Sequence, residues 1–549
     1  MRLEDVSLLF QFIGGLGMFL YGMNIMADGL QKSAGDRMKQ LLGYLTNNRF
    51  VAILVGTLVT AIIQSSSATT VMVVGFVNAG LLTLGQAVGV IMGANIGTTV
   101  TSWLVSMSDW GDALKPEFFA PLLVGIGAAI LMFCKSRKKK DVGEILVGFG
   151  LLFIGLSFMS GSIEPYSDAP IFSQAFAVLG RNPILGILAG CIVTAIIQSS
   201  SASVGILQVL AANGVVNWNS AIFITLGQNI GTCVTAMISS AGAHKTAKRA
   251  AIIHLLFNTI GAVVFGIIMF VIFQVWSDFA ASSISSTQIS IFHTIFNISN
   301  TLILFPFANA LVKLSGMIIK EDLEEEAEVR DAVTHLDDRI LESPSFALET
   351  VEKEVVSMAY LVRETALTSI KAAMTGNQEA ISNVFKNEKI INTREKELTE
   401  YLVKINNTSL SDKQHLVVKN LLYSISDLER IGDHAENIAE LTQSMLNDQI
   451  RFSASALEEL QTISNKVDDA ITTAIEAREH GDIAKVRLVL EYEDSVDALE
   501  EEMREAHIRR LSNNQCKAES GVIFLDIISN LERMADHAVN IVGYVKDEI

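Results

Sequence analysis

The string "TAIIQSSSAT" occupies residues 60–69, and "TAIIQSSSAS" occupies residues 194–203. In a soluble protein a Gln-Ser-Ser-Ser run reads as a surface loop. Here both copies sit inside apolar sequence, where polar backbone is costly unless protein or a watered cavity receives it. Other features recur with them. Gln198 − Gln64 is 134; so are Asn229 − Asn95, from "GQNIGT" and "GANIGT", and Asn182 − Asn48 ahead of the serine strings. Upstream, "LGMFLYGMNIM" (16–26) resembles "FGLLFIGLSFM" (149–159) at an offset of 133. A near-constant offset of this kind marks a duplicated unit.

The surroundings set the class. Half of the 549 residues are hydrophobic, and they are concentrated between Leu8 and Gly316 in apolar runs with few charges. Runs of about 20 such residues suit membrane helices. From Lys320 onward the chain is dense in charge, so a membrane half precedes a soluble half. The net charge of −18 comes largely from the soluble half and argues against a nucleic-acid partner. Cys134, Cys191, Cys233 and Cys516 lie far apart in no metal-ligand spacing and read as free thiols. The first apolar run has acidic residues before it and no small-residue cleavage pattern after it, so it reads as a retained helix.

Basic loops orient the membrane half. "KSRKKK" (135–140) and "HKTAKR" (244–249), with the basic-leaning stretch from Lys32 to Arg49, belong on the cytoplasmic side. Residues 120–133 then enter the cytoplasm and residues 84–105 leave it. The serine segment from Phe50 to Ala79 must start and finish on the cytoplasmic side. A re-entrant hairpin with its Ser turn at mid-depth satisfies this, as does a spanning pair. The second serine segment, 183–212, enters from outside. The repeats are therefore inverted, the architecture of secondary transporters with a site at the midplane.

A Gln-Ser-Ser-Ser turn at a hairpin tip offers hydroxyls, an amide and free N–H groups at the start of a half-helix. Such a terminus favours an anion, and two tips meeting from opposite sides would surround a small tetrahedral oxyanion. Ser, Thr and amide oxygens equally suit a hard cation such as sodium. The plainer reading is that small polar residues let helices pack closely; two inverted copies of one string favour the site. Asn95 and Asn229, between glycines, are site residues or hairpin supports. His254 with Asn258 and His293 with Asn297 share helix faces at i, i+4 and read chiefly as interhelical hydrogen bonds.

The soluble half carries its own duplication. "LERIGDHAENI" (428–438) matches "LERMADHAVNI" (531–541) at an offset of 103, and "VFKNEKIINTREKEL" (384–398) resembles "VLEYEDSVDALEEEM" (489–503) at 105. Helical periodicity without strand signals predicts two three-helix units. Glu429, Asp433 and Asn437, and likewise Glu532, Asp536 and Asn540, form stripes that are either solvated faces or places for a hard metal.

The paired Q-S-S-S strings, each followed by G-x-N-I-G-T, closely resemble the sodium-dependent phosphate cotransporter family. The doubled E-R-x-x-D-H-A-x-N-I string resembles PhoU regulatory proteins. The first resemblance implies sodium-coupled transport of inorganic phosphate. It assigns Ser65, Ser66, Ser67, Ser199, Ser200 and Ser201 to phosphate. Sodium falls to Gln64, Gln198, Thr69 and Ser203, with Asn95 and Asn229 as further candidates. The second implies a divalent or iron-type metal at Glu429, Asp433, Glu532 and Asp536.

The expectation is an all-α chain: a polytopic membrane protein of two inverted repeats with re-entrant hairpins, then a cytosolic PhoU-like pair of three-helix bundles. The expected domains are 1–135 (repeat 1), 136–318 (repeat 2 and the final membrane helix), 319–352 (linker) and 353–549 (tail). The expected activity is sodium:phosphate symport across a bacterial inner membrane. No cofactor is required beyond sodium as coupling ion. Partners are phosphate, Na+ and the bilayer, with a homodimer and phosphate-regulatory proteins as candidates. The alternatives are a carrier or exporter of another small oxyanion, or a membrane phosphate sensor. No nucleophile–base pairing, phosphate-binding glycine loop or zinc spacing points to an enzyme.

Overall fold

The computed structural model describes residues 3–43, 48–110, 115–167, 169–320, 336–513 and 515–548. Parts of the basic-leaning stretch and of the expected linker, 44–47 and 321–335, lie outside them. The described residues are helical, without a named strand, and the chain divides into two compact units, Met1–Phe346 and Ala347–Ile549.

The first unit contains α1 (Leu3–Gly43), α2 (Arg49–Ile63), α3 (Ser66–Asn78), α4 (Leu84–Gly97), α5 (Thr99–Ser106), α6 (Pro116–Phe133) and α7 (Arg137–Ile163). It continues through α8 (Pro170–Arg181), α9 (Pro183–Ile197), α10 (Ser200–Ala212), α11 (Trp218–Ser239), α12 (Lys245–Val275), α13 (Ser277–Ala281), α14 (Ser286–Leu304) and α15 (Ala308–Ile318). Seven described segments are long and apolar enough to span a membrane: 4–34, 84–109, 116–133, 138–166, 218–239, 245–275 and 286–318.

The serine segments are built differently. α2 has 15 residues and α3 has 13. At 1.5 Å per residue each falls short of a hydrocarbon core about 30 Å thick. α4 runs parallel to α2, start beside start, since Gly89 packs on Arg49 and Ala52, and Gly97 on Thr57 and Thr60. The chain thus goes in along α2, turns, and comes back along α3 to its own level. The second copy repeats the pattern, with Gly186 near the start of α9 against Phe223 near the start of α11. Between Asn48 and Asn182 lie three segments long and apolar enough to cross a membrane, 84–109, 116–133 and 138–166. Three crossings would place the hairpins on opposite sides, the inverted arrangement that the basic loops predict.

Glycines make the hairpins rigid. A Cβ at Gly56 would strike the Val90 carbonyl, and one at Gly93 the Ile53 carbonyl. Gly190 meets the Ile224 carbonyl and Gly227 the Ile187 carbonyl in the same way, each 134 residues on. The glycines of G-x-N-I-G are therefore the seam that lets α4 lie against α2, and α11 against α9. The other repeated string forms the joint between repeats. Gly22 lies on the backbone of Gly148 and Leu152, and Gly155 on that of Gly15 and Phe19, so α1 and α7 pack without side chains between them. Phe19, Leu152 and Phe153 are fully buried there, and Lys32 pairs with Glu144 at 2.7 Å.

The described residues just before the second unit are packed. A short 3-10 turn, Asp338–Glu342, lies on α3. Asn78 at the end of α3 donates to Asp337 (2.7 Å) and accepts from the His244 amide (2.8 Å). Arg339 donates to the Ser239 carbonyl, Ile340 is fully buried, and Phe346 meets Phe76 edge-on at 5.9 Å.

The second unit follows the predicted pairing. α16 (Pro344–Thr375), α17 (Gln378–Asn406) and α18 (Asp412–Asn447) form one set, and α19 (Ala454–His480), α20 (Ile483–Ser512) and α21 (Ala518–Glu548) the other. Leu421, Ile425, Ile431, Ile438, Leu531 and Met534 form part of a core without water access on α18 and α21. His537 Nδ1 contacts Asp427 at 2.7 Å, while its mate His434 contacts Asn530 at 2.8 Å. Asn530 − Asp427 is 103, so the two duplicated histidines reach across to equivalent positions on each other's helix.

Candidate functional site: the paired serine tips

Each hairpin tip is a single break between two half-helices. α2 ends on Gln64 at φ 58°, and α9 on Gln198 at φ 56°. A non-glycine residue in the left-handed region costs of order 1 kcal/mol and persists only where surrounding structure holds it. Glycine would serve the backbone better, so a glutamine kept there twice points to a use for the side chain. Ser65 and Ser199 follow in extended conformation and cap the next helix, accepting from the Ala68 and Ala202 amides at 3.1 and 3.2 Å. These caps satisfy one donor of each helix start. The amides of Ser66 and Ser67, and of Ser200 and Ser201, remain the uncommitted donors expected of a helix N-terminus. Among the described residues, no hydrogen bond engages the hydroxyls of these four serines. All four are buried.

Within each hairpin one bond closes the loop. Thr60 donates to Thr69 at 3.0 Å and Thr194 to Ser203 at 2.9 Å. Thr69 and Ser203, expected at sodium, are thus part of the hairpin brace. Asn95 and Asn229 point their amide nitrogens at carbonyls of their own helices, Ile91 and Thr225. What each leaves over is an oxygen, the donor type a hard cation takes.

The two tips differ in their partners. Gln64 is buried, and its amide oxygen accepts from Thr101 at 3.0 Å. Gln198 is exposed. On the other side, Gln228 of α11 donates to the Ser203 carbonyl and hydroxyl, at 2.9 and 3.0 Å; the first repeat has Ala94 in its place. The tips are joined through α5. Thr101 holds the first tip, and its neighbour Ser102 accepts from Gln208 of α10, the half-helix that leads from the second tip. Among the described residues no hydrogen bond runs directly from one tip to the other.

The histidine strings depart from expectation. Asn258 and Asn297 donate to the carbonyls of His254 and His293 one turn back, and Asn258 also reaches Cys233 Sγ. Neither ring nitrogen of His254 has a partner among the described residues, nor does His293 Nδ1. The interhelical bond expected of the first string is thus made by Asn258 and not by the His254 ring.

In the tail, the stripes acquire neighbours that sequence reading missed. Glu388 of α17 joins Glu429 and Asp433, and Glu493 and Asp497 of α20 join Glu532 and Asp536. Oxygens of Glu493, Asp497 and Asp536 lie within 4.8 Å of one another. Burial raises Glu388, Glu429, Glu493, Asp497 and Glu532 above the ordinary carboxylate range, and adjacent carboxylates raise them further. Glu388 and Glu493 are equivalent in the aligned strings at an offset of 105, which was the available signal. An all-oxygen donor set under mutual repulsion fits a hard cation.

Short half-helices broken at serine tips, beside seven segments long and apolar enough to span a membrane, are the build of a polytopic membrane transporter. The profile of the Na+/Pi-cotransporter family matches residues 18–161 and 169–292, and that of the PhoU domain matches 355–442 and 460–545. The chain belongs to the Na+/Pi-cotransporter family, a family of phosphate transporters, and carries a C-terminal PhoU domain. It is 23% identical over 528 residues to an Escherichia coli (strain K12) protein provisionally named the inorganic phosphate export protein YjbB, covering 96% of this chain and 95% of that one. Sodium-dependent phosphate transport protein 2B of Homo sapiens is 33% identical over 117 residues, 21% of this chain and 17% of its own. A PhoU homologue of Thermotoga maritima, named a phosphate-specific transport system accessory protein, is 26% identical over 200 residues, 35% of this chain and 83% of its own.

Proposed function

We propose that this chain moves inorganic phosphate across a bacterial inner membrane by symport with sodium, binding the anion between the two serine tips. The observation that carries this reading is the repetition of one tip geometry: a strained Gln, a capping Ser and two buried serines with uncommitted amides and hydroxyls. Ser65, Ser66 and Ser67 with Ser199, Ser200 and Ser201 would donate to phosphate oxygens. Gln64, Gln198, Asn95 and Asn229 would turn oxygens to sodium, with Thr69 and Ser203 bracing the tips. The full-length relative named for phosphate export favours a second reading, in which the same carrier runs outward. Purified protein in liposomes, with labelled phosphate and sodium gradients of either sign, tests both. Flux that follows the sodium gradient supports coupling, and its cellular direction is then set by the prevailing gradients. Phosphate binding without flux would make the chain a sensor.

The tail we assign to the cytoplasmic side as a regulator that binds a divalent or iron-type metal at its two carboxylate clusters. The raised carboxylates give the sign of a test. Protons bind the folded cluster more tightly than the unfolded chain, so this contribution is fully present below the ordinary carboxylate range and is lost as pH rises through the raised values. A cation should replace the lost protons. Manganese should raise the thermal midpoint of the full chain at pH 7 and leave it unchanged near pH 4. Asp497→Asn with Asp433→Asn should abolish that increase; an unchanged increase would show that the metal sits elsewhere.

A further inference from the structure

A cavity of about 1070 Å³ lies between the α18–α19 connection, the end of α20 and the start of α21. His507, Cys516, Arg451, Lys517 and Phe524 are among its lining residues, and none of the carboxylates assigned to metal is.

His507 is 4% exposed. The duplication shows how unusual an imidazole is at that place. At the offset of 105 that aligns 384–398 with 489–503, His507 stands where the first copy has Leu402, which is fully buried. At the offset of 103 that aligns the two E-R-x-x-D-H strings, Gly521 stands where the first copy has Val418, also buried. The two differences belong together. A Cβ at Gly521 would lie 2.2 Å from His507 Nε2, so the ring occupies room that a side chain at 521 would fill. Phe524 stacks on the ring at 5.6 Å between centroids. Where one copy has two core aliphatics, the other has an imidazole and the space that holds it.

The ring so held brings Nε2 to 3.9 Å from Cys516 Sγ, its one hydrogen-bond contact among the described residues. Cys516 is half-buried and stands two residues before α21, at the helix end that favours negative charge developing on sulfur. Burial and then Arg510 hold His507 below the ordinary histidine range, against the pull of Glu459. The ring is therefore neutral at pH 7, and Nε2 can take the thiol proton. Arg510 itself is committed to Glu459 through two bonds, at 2.6 and 2.7 Å.

We propose that Cys516 with His507 is a modification site at which a hydroperoxide oxidises the thiol to a sulfenic acid. His507 Nε2 takes the S–H proton, and the sulfur attacks one peroxide oxygen. The O–O bond breaks, and the leaving hydroxide or alkoxide takes the proton back from the ring. Sulfur is oxidised, and the peroxide is reduced to water or an alcohol. The second unit has no other cysteine, so no disulfide within it consumes the product.

The test treats the purified full chain with hydrogen peroxide and traps the product with a 1,3-dione, read at Cys516 by mass spectrometry. Cys516→Ser is the blank. At pH 7 Cys516 should react about tenfold or more faster than free cysteine. His507→Leu, which carries the first copy's residue, should remove that advantage. The charged groups around the pair are Arg510 and Glu459, with Asp448, Arg451, Lys517 and Glu519 along the cavity. In their presence the wild-type rate should change less than about twofold between pH 6.5 and 7.5, because the neutral ring supplies the base. Free cysteine and His507→Leu should gain about tenfold over that range, following the thiolate fraction. A wild-type rate no greater than that of free cysteine, or an undiminished rate in folded His507→Leu, would overturn the proposal. If His507→Leu does not fold, the wild type decides: a fast rate with a flat pH profile sustains the site, and a profile parallel to free cysteine overturns it.

Discussion

Gln64 and Gln198 hold nearly the same backbone angles, yet the first is buried with its amide oxygen on Thr101 and the second is exposed. The likeness of the two tips lies in the local chain: a left-handed glutamine, a capping serine and a threonine closing the loop. Their difference lies in what packs around them. The first hairpin is anchored at its tip by α5 and at its far end by residues 337–346. The second is braced from behind by Gln228. Inverted-repeat carriers switch access by moving one repeat against the other around a shared site. Unequal settings on equal tips are what such a carrier has when one side is held and the other open.

The comparison can be broken where the repeats are most alike. Gly93→Leu and Gly227→Leu should each prevent folding of the membrane half, because a side chain at either position meets a carbonyl of the facing helix. Loss of folded protein in detergent chromatography is the readout. A folded variant at one position alone would mean that the two seams do not carry equal weight.

Substitutions at the unequal contacts should separate the tips. Thr101→Val removes the donor to Gln64, and Gln228→Leu removes two bonds to Ser203. Each loss is worth about 1 kcal/mol, or roughly fivefold in the affinity of whatever its tip binds. Sodium and phosphate half-saturation measured on both variants should change in different proportion. Identical changes would erase the distinction drawn between the tips.

A smaller effect is expected from the anchor of the first hairpin. Asp337→Ala should leave insertion intact, since its partner Asn78 keeps the His244 amide. Phosphate flux should change by a few fold, because the end of α3 is released. No change would show that residues 337–346 pack on the hairpin without steering it.

Much of this was legible in sequence because duplication supplies its own control: an interval of 134 occurring three times marks the hairpins, tips and seam glycines together. Apart from Glu388 and Glu493, what escaped has no such partner. Gln208 corresponds to Val74 in the first repeat, so the repeat gave no reason to single it out. Ser102 and Ser290 are ordinary helix serines until folding brings them to one amide. The tail behaves likewise: the stripes were read from the doubled string, but Asp497 stands where the first copy has Asn392. The histidines 254 and 293 were expected in hydrogen bonds on spacing alone, which identifies a shared face and not the partner opposite it.

The central claim is that both tips grip one phosphate, and sodium-driven uptake of labelled phosphate by Ser66→Ala and Ser200→Ala tests it most directly. Losing a buried donor to a charged ligand costs about 1.5–3 kcal/mol, a tenfold or greater fall in affinity. Both variants should insert normally and lose phosphate transport at concentrations that sustain the wild type. Wild-type uptake by both would contradict the account, and wild-type uptake by one alone would reduce the paired site to a single tip.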